Sequence, residues 1–338
     1  MLDLTTTQIL IVAVVFFALV FDFINGFHDT ANAIATSVLT RALSIRNAII
    51  CSAMMNLIGA LIWEGVAKTI GKGIVQTNLV KGEAGQILVL AAIMGAIIWN
   101  LVTWWLGLPS SSSHALIGAL IGAAIAAKGI GVLNGEGLTK IGIALVFSPI
   151  AGFLGGAILM LLVMNIFAQK APSRLNKWFK WLQILSANWM AFSHGSNDAQ
   201  KSMGIITMAL IVGGFQTGEH VQTWVKLSCA LAMAIGTALG GWRIIKTVGK
   251  KIMGLQPVHG FASETAAALV VTIATHFGAP VSTTHVISSS IMGVGSAKRL
   301  SAVRWNIVGQ IALAWLMTLP TCAGLGALCY TALHLALR

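Results

Sequence analysis

Eight residues, Asn25-Gly-Phe-His-Asp-Thr-Ala-Asn32, interrupt an otherwise apolar run that extends from 9 to 21 before them and from Ala33 to Leu39 after them. A carboxylate with amide and hydroxyl neighbours is costly in such surroundings unless it meets a partner. The pattern recurs: a shift of 169 positions puts Phe23 on Phe192, Gly26 on Gly195 and Asp29 on Asp198, within His194-Gly-Ser-Asn-Asp198. A second pair follows in the same order. Gly107-Leu-Pro-Ser-Ser-Ser-Ser-His114 matches Gly278-Ala-Pro-Val-Ser-Thr-Thr-His285 at a shift of 171, and Gly122 then falls on Gly293. Two motifs at nearly one offset mark an internal duplication.

The second pair is suited to an anion. Pro109 and Pro280 stop one helix and leave the following residues free to start another. Ser111, Ser112, Ser113 and Ser282, Thr283, Thr284 then occupy the first turn of each new helix. A first turn carries unpaired N–H groups and about half a positive charge. Two such termini facing one another would offer neutral donors to a tetrahedral oxyanion, with Asn32 and Asn197 completing the cage. The plain alternative is that these are ordinary caps, where Ser and Thr are favoured. Asp29 and Asp198 repel an anion unless a travelling cation, H⁺ or Na⁺, neutralises them. Na⁺ would take the carboxylates of Asp29 and Asp198, amide oxygens of Asn32 or Asn197, and carbonyls freed at a helix break. A proton would take a carboxylate or a nearby histidine. The plain alternative here is pairing to Lys201 or to backbone.

Such chemistry needs elements that hold it in a membrane. Of 338 residues 57% are hydrophobic and 9% charged, and mean hydropathy is +0.87; soluble domains carry about 25% charged residues. The formal net charge of +12 suggests nucleic acid in a soluble chain, but the Lys and Arg residues here occupy short loops, where they orient spans. No nucleic-acid partner is expected. A span needs roughly 20 apolar residues. Candidates are 9–40 (broken near Gly26), 47–64, 86–106, 141–164, 181–213 (broken near Gly195), 224–242, 261–277 and 305–332, with returning helices at 110–126 and 281–297. With the amino terminus outside, the inside loops 41–46, 165–180, 243–260 and 298–304 hold thirteen Lys/Arg against five in the outside loops 65–85, 127–140 and 214–223. Both termini then lie outside, and Asp29 and Asp198 sit on segments of opposite direction. The expected fold is an all-α polytopic membrane protein of two inverted repeats, 1–164 and 181–338, with discontinuous helices and re-entrant helical hairpins, joined by the basic cytoplasmic linker 165–180. Inverted repeats of this kind build many secondary transporters, with the site near the midplane.

His28, His114, His194 and His285 flank the polar motifs. Asp22 and Glu264 have no acidic counterpart in the other half, Ala191 and Ile93 standing there, and are candidates for pH sensing or bundle stability. Cys51, Cys229, Cys322 and Cys329 lack metal spacing and read as small core residues. Trp63, Trp99, Trp104, Trp105, Trp181, Trp189, Trp224 and Trp242 lie near span ends, as interfacial anchors do. Residues 9–24 read as a span and not a signal peptide, because no basic residue precedes them.

Asn25-Gly-Phe-His-Asp-Thr-Ala-Asn-Ala33, Phe192-Ser-His-Gly-Ser-Asn-Asp198, Leu108-Pro-Ser-Ser-Ser-Ser-His114 and Pro280-Val-Ser-Thr-Thr-His285 resemble the duplicated signatures of the inorganic phosphate transporter (PiT) family. The resemblance runs from about residue 15 to about residue 325. It implies a secondary transporter that moves inorganic phosphate with Na⁺ or H⁺ through the bacterial inner membrane, usually as a homodimer, with no cofactor beyond the travelling cation. The family's Asn-Asp signature falls on His28-Asp29 and Asn197-Asp198. His28 is similar to proton-coupled bacterial members, which often carry a metal–phosphate complex, and Lys201 replaces the Asn32 of the first half. Both departures favour H⁺, with Asp29 and Asp198 taking the coupling cations and His28 tuning or relaying the proton. Sulfate is the rival substrate, since the family has a sulfate branch. Phosphate can present a proton to Asp29 or Asp198 and sulfate cannot. An intramembrane Ser–His hydrolase lacks a Gly-x-Ser-x-Gly elbow, and paired carboxylates would hinder an anion channel.

Overall fold

The computed structural model describes residues 5–170, 172–239 and 252–337, and the side chains of these except 31, 32 and 172–174. Long apolar runs broken by Gly, Pro and hydroxyl residues fold into helices α1 (Thr6–Leu39), α2 (Ile45–Ala60), α3 (Gly65–Gly73), α4 (Gly82–Leu106), α5 (Ser112–Lys128) and α6 (Gly135–Ile166) of the first half. The second half supplies α7 (Pro172–Val212), α8 (Thr223–Leu239), α9 (Pro257–His276), α10 (Thr283–Lys298) and α11 (Trp305–Ala336). Among the described residues β-pairing is limited to one isolated bridge, Val75 with Leu133. Residues 240–251, with the basic Arg243, Lys246, Lys250 and Lys251, Trp242 and the end of the expected span 224–242, lie outside the described residues.

Helix starts follow capping chemistry. Thr5 and Gln8 form a capping box on α1, Ser44 caps α2 through the Asn47 N–H, and Asn134 caps α6 through Gly137 N–H at 3.1 Å. Five helices, α1, α4, α6, α9 and α11, are each long and apolar enough to cross a membrane. α7 is longer than any of them, but buried polar side chains from Gln183 to Lys201 interrupt its apolar run. The chain is a multi-pass membrane protein.

Three expectations need correction. α1 stays helical through Gly26 and α7 through Gly195, so neither breaks where expected. These glycines serve close approach instead. A Cβ on Gly26 would lie 2.3 Å from the carbonyl oxygen of Met233 on α8, and one on Gly195 2.3 Å from that of Asn56 on α2. The discontinuity lies elsewhere: α2 and α3 are bent by 69° at the break before Gly65, so part of the expected outside loop 65–85 is helix. The expected linker 165–180 is also mostly helix, since α7 begins at Pro172.

The halves pack reciprocally. α2 lies on α7 as α8 lies on α1, and α6 lies on α10 as α11 lies on α5. Where α6 meets α10, Gly152 and Gly156 sit against Val286 and Ser290. Pro149 inside α6 and Pro320 inside α11 again stand 171 positions apart. Both hairpins are built alike as well. α4 is capped by Gly107 (φ 67°), α9 is followed by Gly278 (φ 66°), and Pro109 or Pro280 follows before the next helix. A positive φ at both turns is what glycine supplies without strain. α5 and α10 have 17 and 16 residues, a rise of about 25 Å, short of the ~30 Å hydrocarbon layer.

Candidate functional site

Each returning helix starts on a hydroxyl. Ser111 accepts the His114 N–H at 3.1 Å and Ser282 accepts the His285 N–H at 3.2 Å, so both are true N-caps. His114 Nδ1 also lies 2.8 Å from Ser111 Oγ. Ser112, Ser113, Thr283 and Thr284 fill the first turns, as the spacing predicts. The two hairpin tips meet: the His114 and His285 rings lie with centroids 4.5 Å apart and planes tilted by 32°, and Ser113 Oγ donates to the Val281 carbonyl at 3.0 Å.

Asp29 on α1 and Asp198 on α7 face these tips, 2% and 0% exposed. Ser112 donates to Asp29 Oδ2, and Thr284 reaches across to Asp29 Oδ1 at 3.1 Å. Thr283 donates to Asp198 Oδ2 at 3.3 Å. Hydroxyls read from sequence as anion donors are thus turned onto the carboxylates. His28 Nδ1 lies 2.7 Å from Asp29 Oδ1 and its Nε2 lies 3.1 Å from Thr103 Oγ1, to which Ser110 donates at 2.7 Å. At the matching position Asn197 donates to Thr275 Oγ1 at 2.9 Å and to the Ala279 carbonyl at 3.3 Å, and accepts the Val281 N–H at 3.4 Å. Asn197 therefore holds the turn between α9 and α10. The Asn32 side chain lies outside the described residues.

Lys201, one turn beyond Asp198, donates its ammonium to Asp198 Oδ1 at 2.7 Å. The pairing weighed from sequence thus exists for Asp198, whereas Asp29 has a histidine and two hydroxyls. One oxygen or nitrogen from each of Asp29, His194 and Asp198 falls within 4.8 Å of the others, a spacing that could hold a cation.

Several participants are less evident in the sequence. Asn25 accepts from Ser112 at 3.1 Å and donates to Asp198 Oδ2 at 3.5 Å, bridging the two halves. Its repeat position is His194, the one signal that could have pointed to it. Asn56 donates to Thr30 and Thr237, both at 3.0 Å, and holds His194 Nδ1 at 3.0 Å. Gln200 accepts the Val66 and Ala67 N–H groups at 2.9 and 3.2 Å, closing the start of α3 from α7. Asp22 and Glu264 are both buried, and each is held by other side chains than those on the carboxylate pair. Asp22 accepts from Ser202 at 2.7 Å. Glu264 accepts from Ser186 at 2.5 Å, from Gln183 at 3.3 Å and from Thr36. The four cysteines are free thiols, none of them in the cation-spaced group.

This geometry places acidic and hydroxyl groups from matching positions of two halves inside a membrane-embedded bundle. Residues 25–326 match the phosphate transporter family. The chain is 52% identical over 328 residues to a "probable low-affinity inorganic phosphate transporter" of Bacillus subtilis, covering 97% of this chain and 98% of that one. It is 45% identical over 336 residues to a protein of the same description from Rhizobium meliloti, covering 99% of each. Its fold is similar to a solved structure described as "the sodium-dependent phosphate transporter", with a TM-score of 0.88, 24% identity, and 97% and 99% of the two chains covered. The chain belongs to the phosphate transporter family, a family of transporters and not of enzymes.

Proposed function

We propose that this protein imports inorganic phosphate by symport with protons across the bacterial inner membrane. One observation carries the proposal: Asp29 and Asp198, equivalent by repeat, face the hydroxyl-bearing starts of α5 and α10 in a buried cluster. Ser111, Ser112, Ser113, Ser282, Thr283 and Thr284 supply the donors once a protonated phosphate arrives and gives its own P–OH to a carboxylate. Sulfate has no such proton to give, so the acidic pair favours phosphate. His28, between Asp29 and Thr103, is placed to pass a proton to the carboxylate. Asn197 steadies the turn before α10 beside these donors. The halves 1–164 and 181–338 act as inverted repeats joined through 165–180, with both termini outside and two copies forming a homodimer. Movement of the hairpins against the remaining spans opens the site to each side in turn.

A second version is favoured by the 4.8 Å grouping of Asp29, His194 and Asp198. In it Asp29 and Asp198 ligate Na⁺, or a divalent metal enters with phosphate. Radiolabelled phosphate uptake into proteoliposomes separates these, with pH and Na⁺ gradients imposed one at a time and unlabelled sulfate as competitor. Uptake on the pH gradient alone is expected. Uptake that requires Na⁺ selects the second version, and sulfate accumulation without phosphate uptake overturns the substrate assignment.

A further inference from the structure

The two halves of the site differ most in charge at a single matched position. Where α1 carries Asn32, α7 carries Lys201. Lys201 is 0% exposed, and its ammonium lies 2.7 Å from Asp198 Oδ1, three residues back on the same helix. Among the described residues Asp198 is its hydrogen-bond partner, and its charge also reaches Asp22 on α1, His114 on α5 and His194 on α7. Around Asp29 stand His28 and Ser112 of the first half and Thr284 of the second, and among the described residues no lysine or arginine pairs with it.

A carboxylate this deep requires a positive partner for as long as it is ionised. On the Asp29 side that charge can come and go. On the Asp198 side it is covalently attached to the protein. The ammonium also covers Oδ1, one of the two oxygens a Na⁺ ion would use, so the second half does not fit a mobile Na⁺ in the way its pseudo-symmetric partner could. We propose that Lys201 is a resident counter-cation. It neutralises Asp198 throughout the cycle, and only the Asp29 side loads a mobile cation with each phosphate. The inference rests on phosphate symport as read above and adds to it a cation ratio and the residue that sets it.

The test uses the full-length protein in proteoliposomes, as wild type, Lys201→Arg and Lys201→Asn. The phosphate gradient that just balances an imposed proton, Na⁺ or voltage gradient gives the number of cations moved per phosphate. A residue with a merely structural role changes the rate and leaves this ratio alone. Lys201→Arg is expected to keep the wild-type ratio. Lys201→Asn is expected to move one cation more per phosphate and to respond to a Na⁺ gradient about tenfold more strongly than wild type. Lys201→Asn with the wild-type ratio and no Na⁺ response overturns the proposal. Should Lys201→Asn be inactive, Asp198→Asn combined with Lys201→Asn decides, because it removes both charges together. Slower transport at the wild-type ratio supports the resident cation. A higher ratio, or no transport by the double variant, overturns it. Failure of the wild-type protein to take up phosphate overturns the function itself and the cation ratio with it, whereas wild-type uptake with an unchanged Lys201→Asn ratio overturns only the role of Lys201.

Discussion

Thr284 on α10 donates to Asp29 on α1 at 3.1 Å, whereas its counterpart Ser113 on α5 donates to the backbone of Val281 at 3.0 Å. The duplicated hydroxyls therefore have different duties, one on a carboxylate and one on the opposite hairpin. A hydrogen bond to a charged group contributes about 1.5–3 kcal/mol and one between neutral groups about 0.5–1.5 kcal/mol. Thr284→Val is accordingly expected to lower phosphate uptake roughly tenfold more than Ser113→Ala. Initial rates over a phosphate series check this, and equal losses would show that both hydroxyls act on the anion alone.

Asp198 and Lys201 are buried as a pair, so removing one side is worse than removing both. Asp198→Asn leaves an ammonium in an apolar bundle, which costs about 3–5 kcal/mol in typical buried pairs. The thermal midpoint in detergent is expected to fall for Asp198→Asn and to recover in part when Lys201→Met is added. A double variant no more stable than the single one would mean that the ammonium has other partners.

His28 links Asp29 to Thr103 and differs from its counterpart Asn197 in being able to take up a proton. His28→Asn makes the two halves alike there. Proton-driven uptake is expected to drop roughly tenfold to a hundredfold, the scale of a lost hydrogen bond to a charged group. Phosphate exchange at equal pH on both sides should fall much less. The ratio of driven uptake to exchange is the readout, and an unchanged ratio removes His28 from the proton path.

Glu264 ties three helices together, receiving Thr36 from α1 and Gln183 and Ser186 from α7. Glu264→Leu strands those donors, and each unsatisfied buried group costs about 1–3 kcal/mol. Glu264→Gln retains an acceptor for part of the set. The expected order of thermal stability in detergent is wild type, then Glu264→Gln, then Glu264→Leu. If the Leu variant equals the Gln variant, the network contributes little to holding α9 in place.

Much of this was legible in the sequence because lipid leaves few choices for an apolar run. The run expected at 86–106 is α4 at Gly82–Leu106, and the hydroxyl motifs start α5 and α10 where the two prolines place them. The nearly equal offsets, 169 from Asp29 to Asp198 and 171 from Ser112 to Thr283, put the right groups together. Gly26 and Gly195 misled, because a glycine beside polar residues reads the same whether its helix breaks or a neighbour approaches closely. The short helix α3 was missed for another reason: Gln200, more than 130 residues away, satisfies its first N–H groups. Asn25 and Asn56 act through partners in the other half, at separations that no local pattern reveals.

The reciprocal seating of α6 on α10 and of α11 on α5 bears on how the protein is made. When the ribosome has delivered α6, ending at Ile166, the helix it belongs against does not yet exist, since α10 ends at Lys298. At typical elongation rates the wait is on the order of ten seconds. During that interval the glycine notch of α6 at Gly152 and Gly156 faces lipid or a temporary escort, and Asp29 lacks Thr284. Neither half can finish alone. The polar site closes only as the last two helices enter the bilayer, so its assembly is itself a late checkpoint on a correctly completed chain.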